Sequence, residues 1–369
     1  MSFQLHMKGY SDLRTLYQID SLYAWKRDKY FPPVSVEISP THACNQRCKF
    51  CYTHNRVESG EMLRDDILIN SFAQLADAGV RAVFVQGAGE PLMHKSLPEA
   101  IEAGAKKKLS IALNTNGVLL DKPLQKRILE HLFFIRFSVL DNDPKRYAYW
   151  HGCSEKQWGN LIDNIKNAVM LRDKLGLQLA LLGTVYIHED SFQNAYVILK
   201  FFKELGIDYI IIQEATYTEF SPAGKRDYVS KAYSKTEIGE MKAKLLTLQD
   251  DNFHLKVQFP FNDGILCSGM NKESWKNNYC QGIKFHSLIS SDGEVYPCWR
   301  AWGNKKLSYG SLYKQNFEDI WRGEKRREIE TFLNGTPPKG DECSVCCIQK
   351  LNEILFQCQN ATKWKDILV

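Results

Sequence analysis

The sequence predicts an α/β fold, a partial (β/α)6 TIM barrel followed by a small C-terminal α+β extension, and three observations carry that prediction. Six apolar, β-branched-rich runs alternate with helical segments between residues 33 and 213, the pattern of a parallel sheet buried on both faces. Polar strings (CNQRC, GAGE, NTNG, LDND and EATYT) recur just after the strand ends, the edge at which barrels keep their chemistry. Beyond about residue 250 the composition changes to short strands, turns and clustered cysteines. Six units fall short of the eight that close a barrel, so a lateral opening is expected, wide enough for a large substrate. The expected segments are an N-terminal stretch at 1–32, the barrel at 33–255 and the extension at 256–369.

Each element follows from its local pattern. After a polar, helical-looking start, PVSVEIS at 33–39 alternates as a strand and runs into the cysteine-bearing loop THACNQRCKFC. A helix over 62–78 leads to a strand at 80–86, and a helix over 96–107 to a strand at 109–114. The next pair is a helix near 121–131 and a strand at 134–139. A long amphipathic helix over 155–175 precedes a strand at 178–187, and a helix over 191–205 precedes the last strand at 207–213. Parallel neighbours need such crossovers, so the alternation and the sheet type are one prediction.

The chain has 369 residues, 44% hydrophobic and 25% charged, which suits a soluble globular protein and excludes disorder and coiled coil. Its charge of +5 is the small difference between 48 basic and 43 acidic residues. The basic runs at 26–30, 106–108 and 322–327 are separate and read as solvated helix faces, so nucleic acid is not an expected partner. One of them could dock an acidic electron donor. The first thirty residues hold no apolar signal region, and no run of about 18 apolar residues could span a bilayer. A cytoplasmic protein is expected, in a compartment that disfavours disulfides, so its eleven cysteines point to metal or catalysis.

Cys44, Cys48 and Cys51 are spaced C-x3-C-x2-C. Three thiolates can ligate three irons of a cubane and leave the fourth open, whereas an all-cysteine structural zinc site needs four. This loop, with the aromatic Phe50 before its last cysteine, resembles the signature of the radical S-adenosylmethionine (radical SAM) superfamily. The resemblance implies a [4Fe-4S] cluster whose open iron chelates the methionine moiety of S-adenosyl-L-methionine. It further implies reductive cleavage to a 5′-deoxyadenosyl radical that abstracts a substrate hydrogen. GAGEP at 87–91 resembles the family's GGEP-type turn, in which Gly87 and Gly89 permit close backbone approach and Glu90 accepts a hydrogen bond from the cofactor's ammonium. Asn116, Ser138 and Asp141 fall where related enzymes place ribose or carboxylate contacts, with helix capping as the alternative. Gln213 and Glu214 end the last strand within reach of adenosine or substrate.

The other cysteines cluster late. Cys280 and Cys298 flank a strand, a Ser-Asp-Gly turn and a strand, while Cys343 and Cys346 form a C-x2-C hook. Together the four could close one tetrahedral site, which zinc would also satisfy. The pattern C-x12-G-x4-C followed by C-x2-C resembles the auxiliary-cluster extension of radical SAM enzymes, the SPASM domain or its shortened twitch form. After Cys346 the full SPASM continuation fails, since Cys347 and Cys358 come next. The resemblance therefore implies one auxiliary [4Fe-4S] cluster on Cys280, Cys298, Cys343 and Cys346. A second, built on Cys267, Cys347, Cys358 and an unusual fourth ligand, stays open. Cys267 is either a hydrogen-atom donor, as in related epimerases, or an inert buried thiol. Cys358 is expected to pack in a closing helix and Cys153 to sit in core or loop.

The cysteine pattern closely resembles that of the aminocyclitol (2-deoxy-scyllo-inosamine) dehydrogenase type. It implies an oxidoreductase that takes a C–H hydrogen from an alcohol of a sugar or aminocyclitol-like molecule. The auxiliary cluster would accept the second electron, and a flavodoxin- or ferredoxin-type donor would supply the first. The aromatic strings at 147–152 and 216–220 would stack on such a ligand or seal a domain junction. One alternative is epimerisation or crosslinking of a ribosomal precursor peptide, although only 32 residues precede the first strand and no leader-binding domain is expected there. The other is a non-catalytic electron-transfer or maturation protein.

Overall fold

The computed structural model describes residues 18–138, 141–188, 190–215, 217, 220–224, 233–258, 280–335 and 348–360. Cys267, Cys343, Cys346 and Cys347 lie outside the described residues. Helix α1 (Ile19–Lys26) precedes β1 (Ser35–Ile38), and the short α2 (His54–Val57) and α3 (Asp65–Asp77) precede β2 (Ala82–Val85). The alternation continues through α4 (Leu97–Lys106), β3 (Ser110–Thr115), α5 (Lys122–Ile128) and β4 (Leu132–Ser138). Next come α6 (Pro144–His151), α7 (Glu155–Leu175), β5 (Ala180–Ile187), α8 (Ala195–Glu204) and β6 (Tyr209–Glu214). Helix α9 (Lys235–Leu246) leads to β7 (His254–Gln258), which crosses the expected boundary at 255/256. The remaining elements are β8 (His286–Ile289), β9 (Glu294–Tyr296), β10 (Gly310–Ser311), α10 (Phe317–Arg322), α11 (Glu324–Gly335) and α12 (Gln349–Asn360).

All six expected strands form, in one ten-stranded sheet ordered β10-β9-β8-β1-β2-β3-β4-β5-β6-β7. Strands β1 to β7 pair in parallel, each with its successor, as a partial barrel. Beyond the six, β7 escaped the sequence pattern because HLKVQ is short, half-polar and an edge strand with one buried residue. Strand β8 pairs in parallel with β1, from Ser35 opposite His286 to Ile38 opposite Ile289, so the extension continues the barrel's own sheet.

Local chemistry starts and stops the helices around the site. Asp121 caps α5 by accepting from Leu124 N, and Asp143 caps α6 by accepting from Arg146 N, each with proline in the first turn. Helix α6 stops at Gly152 in the left-handed region (φ 57°), and α7 stops at Gly176 likewise. Alternate strand residues such as Val36, Ile38, Val83, Val85, Ile111 and Leu113 are buried in one cluster with Leu68, Phe72 and Leu75 of α3 and Ile101 of α4. On the opposite face, Ala180, Leu182, Tyr209 and Ile211 form a second cluster with Phe134, an apolar plug inside the barrel. Among the described residues no helix is long and apolar enough to cross a membrane.

Candidate functional site

The loop after β1 brings Cys44, Cys48 and Cys51 together as half-buried free thiols. Burial, above all, pushes the Cys44 thiol up to about 11 and Cys48 well above its ordinary range, and neighbouring cysteine charges push the same way. Burial of this kind keeps the sulfurs as neutral thiols until a metal cation displaces the proton, which fits an iron cluster. Among the described residues no group of three His, Cys, Asp or Glu stands close enough to hold a single metal ion.

Two structures clamp that loop. On one side α6 ends against it: Arg47 N donates to His151 O (3.0 Å) and Lys49 N to Trp150 O (2.8 Å). A Cβ on Gly152 would stand 2.2 Å from Arg47 O, so only glycine lets the helix end lie this close. On the other side is the GAGEP turn. Glu90 N donates to Ala43 O (2.8 Å), and a Cβ on Gly89 would come within 2.2 Å of that same oxygen. Gly87 sits against Ser39 in the same manner, 2.3 Å from its Oγ. Gly89 thus permits close approach to the cysteine loop itself, and Gly87 to the residue that leads from β1 into it.

The polar residues expected to face a cofactor are tied into the protein to different degrees. Glu90 is buried and accepts from Leu92 N (3.1 Å), Thr115 Oγ1 (2.5 Å) and Asn116 N (2.7 Å). Burial lifts its carboxyl to about 6 in spite of those donors. Asn116 donates from Nδ2 to Asn45 Oδ1 in the cysteine loop (2.6 Å) and accepts from Val118 N. Asp141 is fully buried and gripped by Arg146 through Nε and Nη2, both at 2.8 Å, so its carboxylate serves an internal ion pair. Ser138 is half-buried at the end of β4, and Gln213 on β6 hydrogen-bonds the Tyr186 hydroxyl. Phe50 packs on Tyr186 (5.3 Å) and meets the His151 ring edge-on.

A polar row inside the barrel escaped the sequence reading. Arg136 on β4 donates to Asn114 Oδ1 on β3 (2.9 Å) and to Gln86 Oε1 after β2 (3.2 Å). Gln86 Nε2 in turn donates to Glu37 on β1 (2.6 Å). Glu37 also accepts from Trp299 Nε1 and lies 3.7 Å from His286 of β8. Phe84 lies beneath the Arg136 guanidinium, 4.9 Å away, between the polar row and the apolar plug. A signal was present, since SVEI and FIRFS each carry one charge in a strand whose alternate residues are buried.

In the extension, Cys280 is buried and its N–H donates to Asn334 Oδ1 of α11 (3.0 Å), while Cys298 is half-buried beside Trp299 and Trp302. Both thiols bear on Tyr309, whose hydroxyl is fully buried and has no hydrogen-bond partner among the described residues. A buried O–H without an acceptor, next to two cysteines, fits a place where cluster sulfur would complete the contact. Cys358 is exposed on α12, which corrects the expectation that it packs as a small hydrophobe there. Cys153 is half-buried, 3.9 Å from Gln46 Nε2.

Residues 38–176 match the model of the radical SAM superfamily, and residues 280–347 match SPASM, an iron-sulfur cluster-binding domain. The chain carries a radical SAM domain on its partial barrel and a SPASM domain in its extension. A radical SAM domain implies a [4Fe-4S] cluster and S-adenosyl-L-methionine, and a SPASM domain implies auxiliary iron-sulfur clusters.

Curated relatives include the cysteine-type anaerobic sulfatase-maturating enzyme of Clostridium perfringens, 24% identical over 85% of this chain and 86% of its own. The PqqA peptide cyclase of Granulibacter bethesdensis is 23% identical over 79% of this chain and 74% of its own. The GTP 3′,8-cyclase of Aquifex aeolicus is 26% identical over 82% and 93%. Among solved structures, Streptococcus suis SuiB bound to the precursor peptide SuiA aligns with a TM-score of 0.62 at 19% identity, covering 89% of this chain and 72% of that one. These relatives do not single out the aminocyclitol dehydrogenase type suggested by the cysteine pattern.

Proposed function

We propose that this protein is a radical SAM enzyme that modifies a peptide or protein side chain. The observation that carries the reading is the likeness, over most of the chain, to a sulfatase-maturating enzyme and a peptide cyclase, whose names place their chemistry on polypeptides. When bound, S-adenosylmethionine on a reduced cluster supplies a radical that removes a hydrogen atom from a substrate C–H bond. In this chain, Cys44, Cys48 and Cys51 hold that cluster, and Gly87 and Gly89 let the adjoining turn close over the loop. Arg136, Asn114, Gln86 and Glu37 offer donors and acceptors that suit amide and carboxyl groups entering the barrel. Cys280 and Cys298, with Cys343 and Cys346, hold the auxiliary cluster that takes the second electron. A flavodoxin- or ferredoxin-type protein in the cytoplasm delivers the first.

The test is anaerobic turnover of the reconstituted enzyme with a synthetic peptide from a short open reading frame beside its gene. Formation of 5′-deoxyadenosine together with loss of two hydrogens from the peptide supports oxidation or crosslinking. Uptake of solvent deuterium without mass loss supports epimerisation, and Cys267→Ala should then stop turnover; oxidation would survive that change. A second reading, oxidation of a sugar or aminocyclitol alcohol, rests on the departure from the full SPASM cysteine pattern after Cys346. Turnover of a polyol with no response to any peptide would replace the first reading with it.

A further inference from the structure

We propose that His151 tunes the cluster on Cys44, Cys48 and Cys51 by donating its Nδ1–H to the sulfur of Cys48. This rests on the reading of Cys48 as a cluster ligand. His151 is the last residue of α6, held under the cysteine loop by the bond from Arg47 N to its carbonyl. Its ring stacks on Tyr147 (4.0 Å between centroids) and meets Phe50 edge-on at 5.6 Å, so its plane is fixed. Nδ1 lies 2.9 Å from Gln46 Oε1 and 3.3 Å from Cys48 Sγ. Nε2 is buried with no hydrogen-bond partner among the described residues.

The direction of each hydrogen bond follows from a backbone carbonyl, which can only accept. Gln157 Nε2 donates to Asn45 O (3.3 Å), and its Oε1 lies 3.3 Å from Gln46, so Gln46 presents Nε2 there. The same nitrogen lies 3.0 Å from the Tyr147 hydroxyl. Gln46 Oε1 is therefore the atom facing His151, and an oxygen acceptor requires a proton on Nδ1. The orphaned Nε2 agrees, since a buried N–H without an acceptor is the costlier arrangement. A ligated Cys48 sulfur carries no hydrogen and can only accept. Nδ1–H is then shared between Gln46 Oε1 and that sulfur. One electron from a reductant adds negative charge that spreads onto the thiolate sulfurs, while the proton stays on Nδ1. A donor there favours the reduced state and raises the midpoint potential.

The experiment is an EPR-monitored redox titration of the reconstituted holoenzyme with dithionite, following the signal that S-adenosylmethionine perturbs. His151→Phe keeps a ring in the stack and removes the donor, so the midpoint should fall. His151→Asn restores an N–H near the Nδ1 position, so its midpoint should lie between that of His151→Phe and the native value. Gln46→Leu removes the competing acceptor, so the midpoint should rise; this variant decides the matter if His151→Phe does not load iron. An unmoved midpoint in a fully loaded His151→Phe, an Asn variant as low as the Phe variant, or no rise in Gln46→Leu would overturn the proposal. Failure of the underlying reading looks different: the native protein itself would then show no S-adenosylmethionine-sensitive signal.

Discussion

The barrel and the extension hold their cysteines in opposite ways. Cys44, Cys48 and Cys51 sit on one short loop, pinned by the α6 end on one side and the GAGEP turn on the other. Cys280 and Cys298 are instead delivered by a hairpin, β8 and β9, whose first strand pairs with β1 of the barrel. In the first case a contiguous stretch of chain carries the proposed ligand set, and glycines let its clamps approach. In the second, the fold must assemble before the proposed ligands meet, and the Tyr309 hydroxyl has no hydrogen-bond partner among the described residues. The difference implies that the two clusters can be removed one at a time.

The largest effect is expected at the barrel loop. Cys48→Ala should abolish 5′-deoxyadenosine formation and lower iron by about four atoms per chain, from about eight. Retained cleavage would refute the ligand set. Next comes the extension: Cys280→Ala or Cys298→Ala should remove about four irons yet keep reductive cleavage, while product formation on substrate is lost. A native content of about twelve irons would instead restore a second auxiliary cluster, and about four with zinc would make the extension a zinc site.

Between the two regions lies the polar row of Arg136, Gln86 and Glu37, which reaches the extension through Trp299 and His286. Arg136→Met keeps bulk over Phe84 and removes the donors to Asn114 and Gln86. It should leave uncoupled cleavage within about twofold of native, while substrate-coupled turnover falls about tenfold or more, about 1.4 kcal/mol or above. Equal losses in both assays would make Arg136 a structural residue rather than one that meets substrate.

Spacing and periodicity revealed what is local. The C-x3-C-x2-C loop, the helix at 155–175 and the six strands are each written within a few neighbouring residues, and each formed where expected. Contacts across the sheet were not legible. Nothing near Glu37 announces Gln86 or His286, which come from a different strand end and a different domain. Asp141 looked like a ligand contact because its partner, Arg146, is a turn away on a helix that the aromatic string PKRYAYWH did not advertise. Glu90 was legible as part of a turn, but its three donors depend on β3 ending beside it.

Acid should separate the two regions by a smaller margin. His188, beyond β5, is buried against Trp150, the residue whose carbonyl receives Lys49 N of the cysteine loop. Burial, partly offset by Asp190, lowers its pKa from 6.5 to about 4. Between those values the unfolded chain takes up a proton that the folded chain refuses, so stability falls as pH drops from 6.5 towards 4. The lost stability is about 3 kcal/mol at most from this one group. In the extension, His286 is likewise buried with Glu37 opposing the shift, whereas the barrel clamp also carries His151, which burial lowers to about 3, so acid should act less on the extension. Hydrogen exchange at pH 5 and pH 7 reads this directly. The α6 end and the cysteine loop should lose protection at pH 5 more than β8 and β9 do, and His188→Asn should shrink that difference. Equal loss in both regions would mean that the barrel clamp and the extension hairpin unfold as one unit, with no separate acid response at His188.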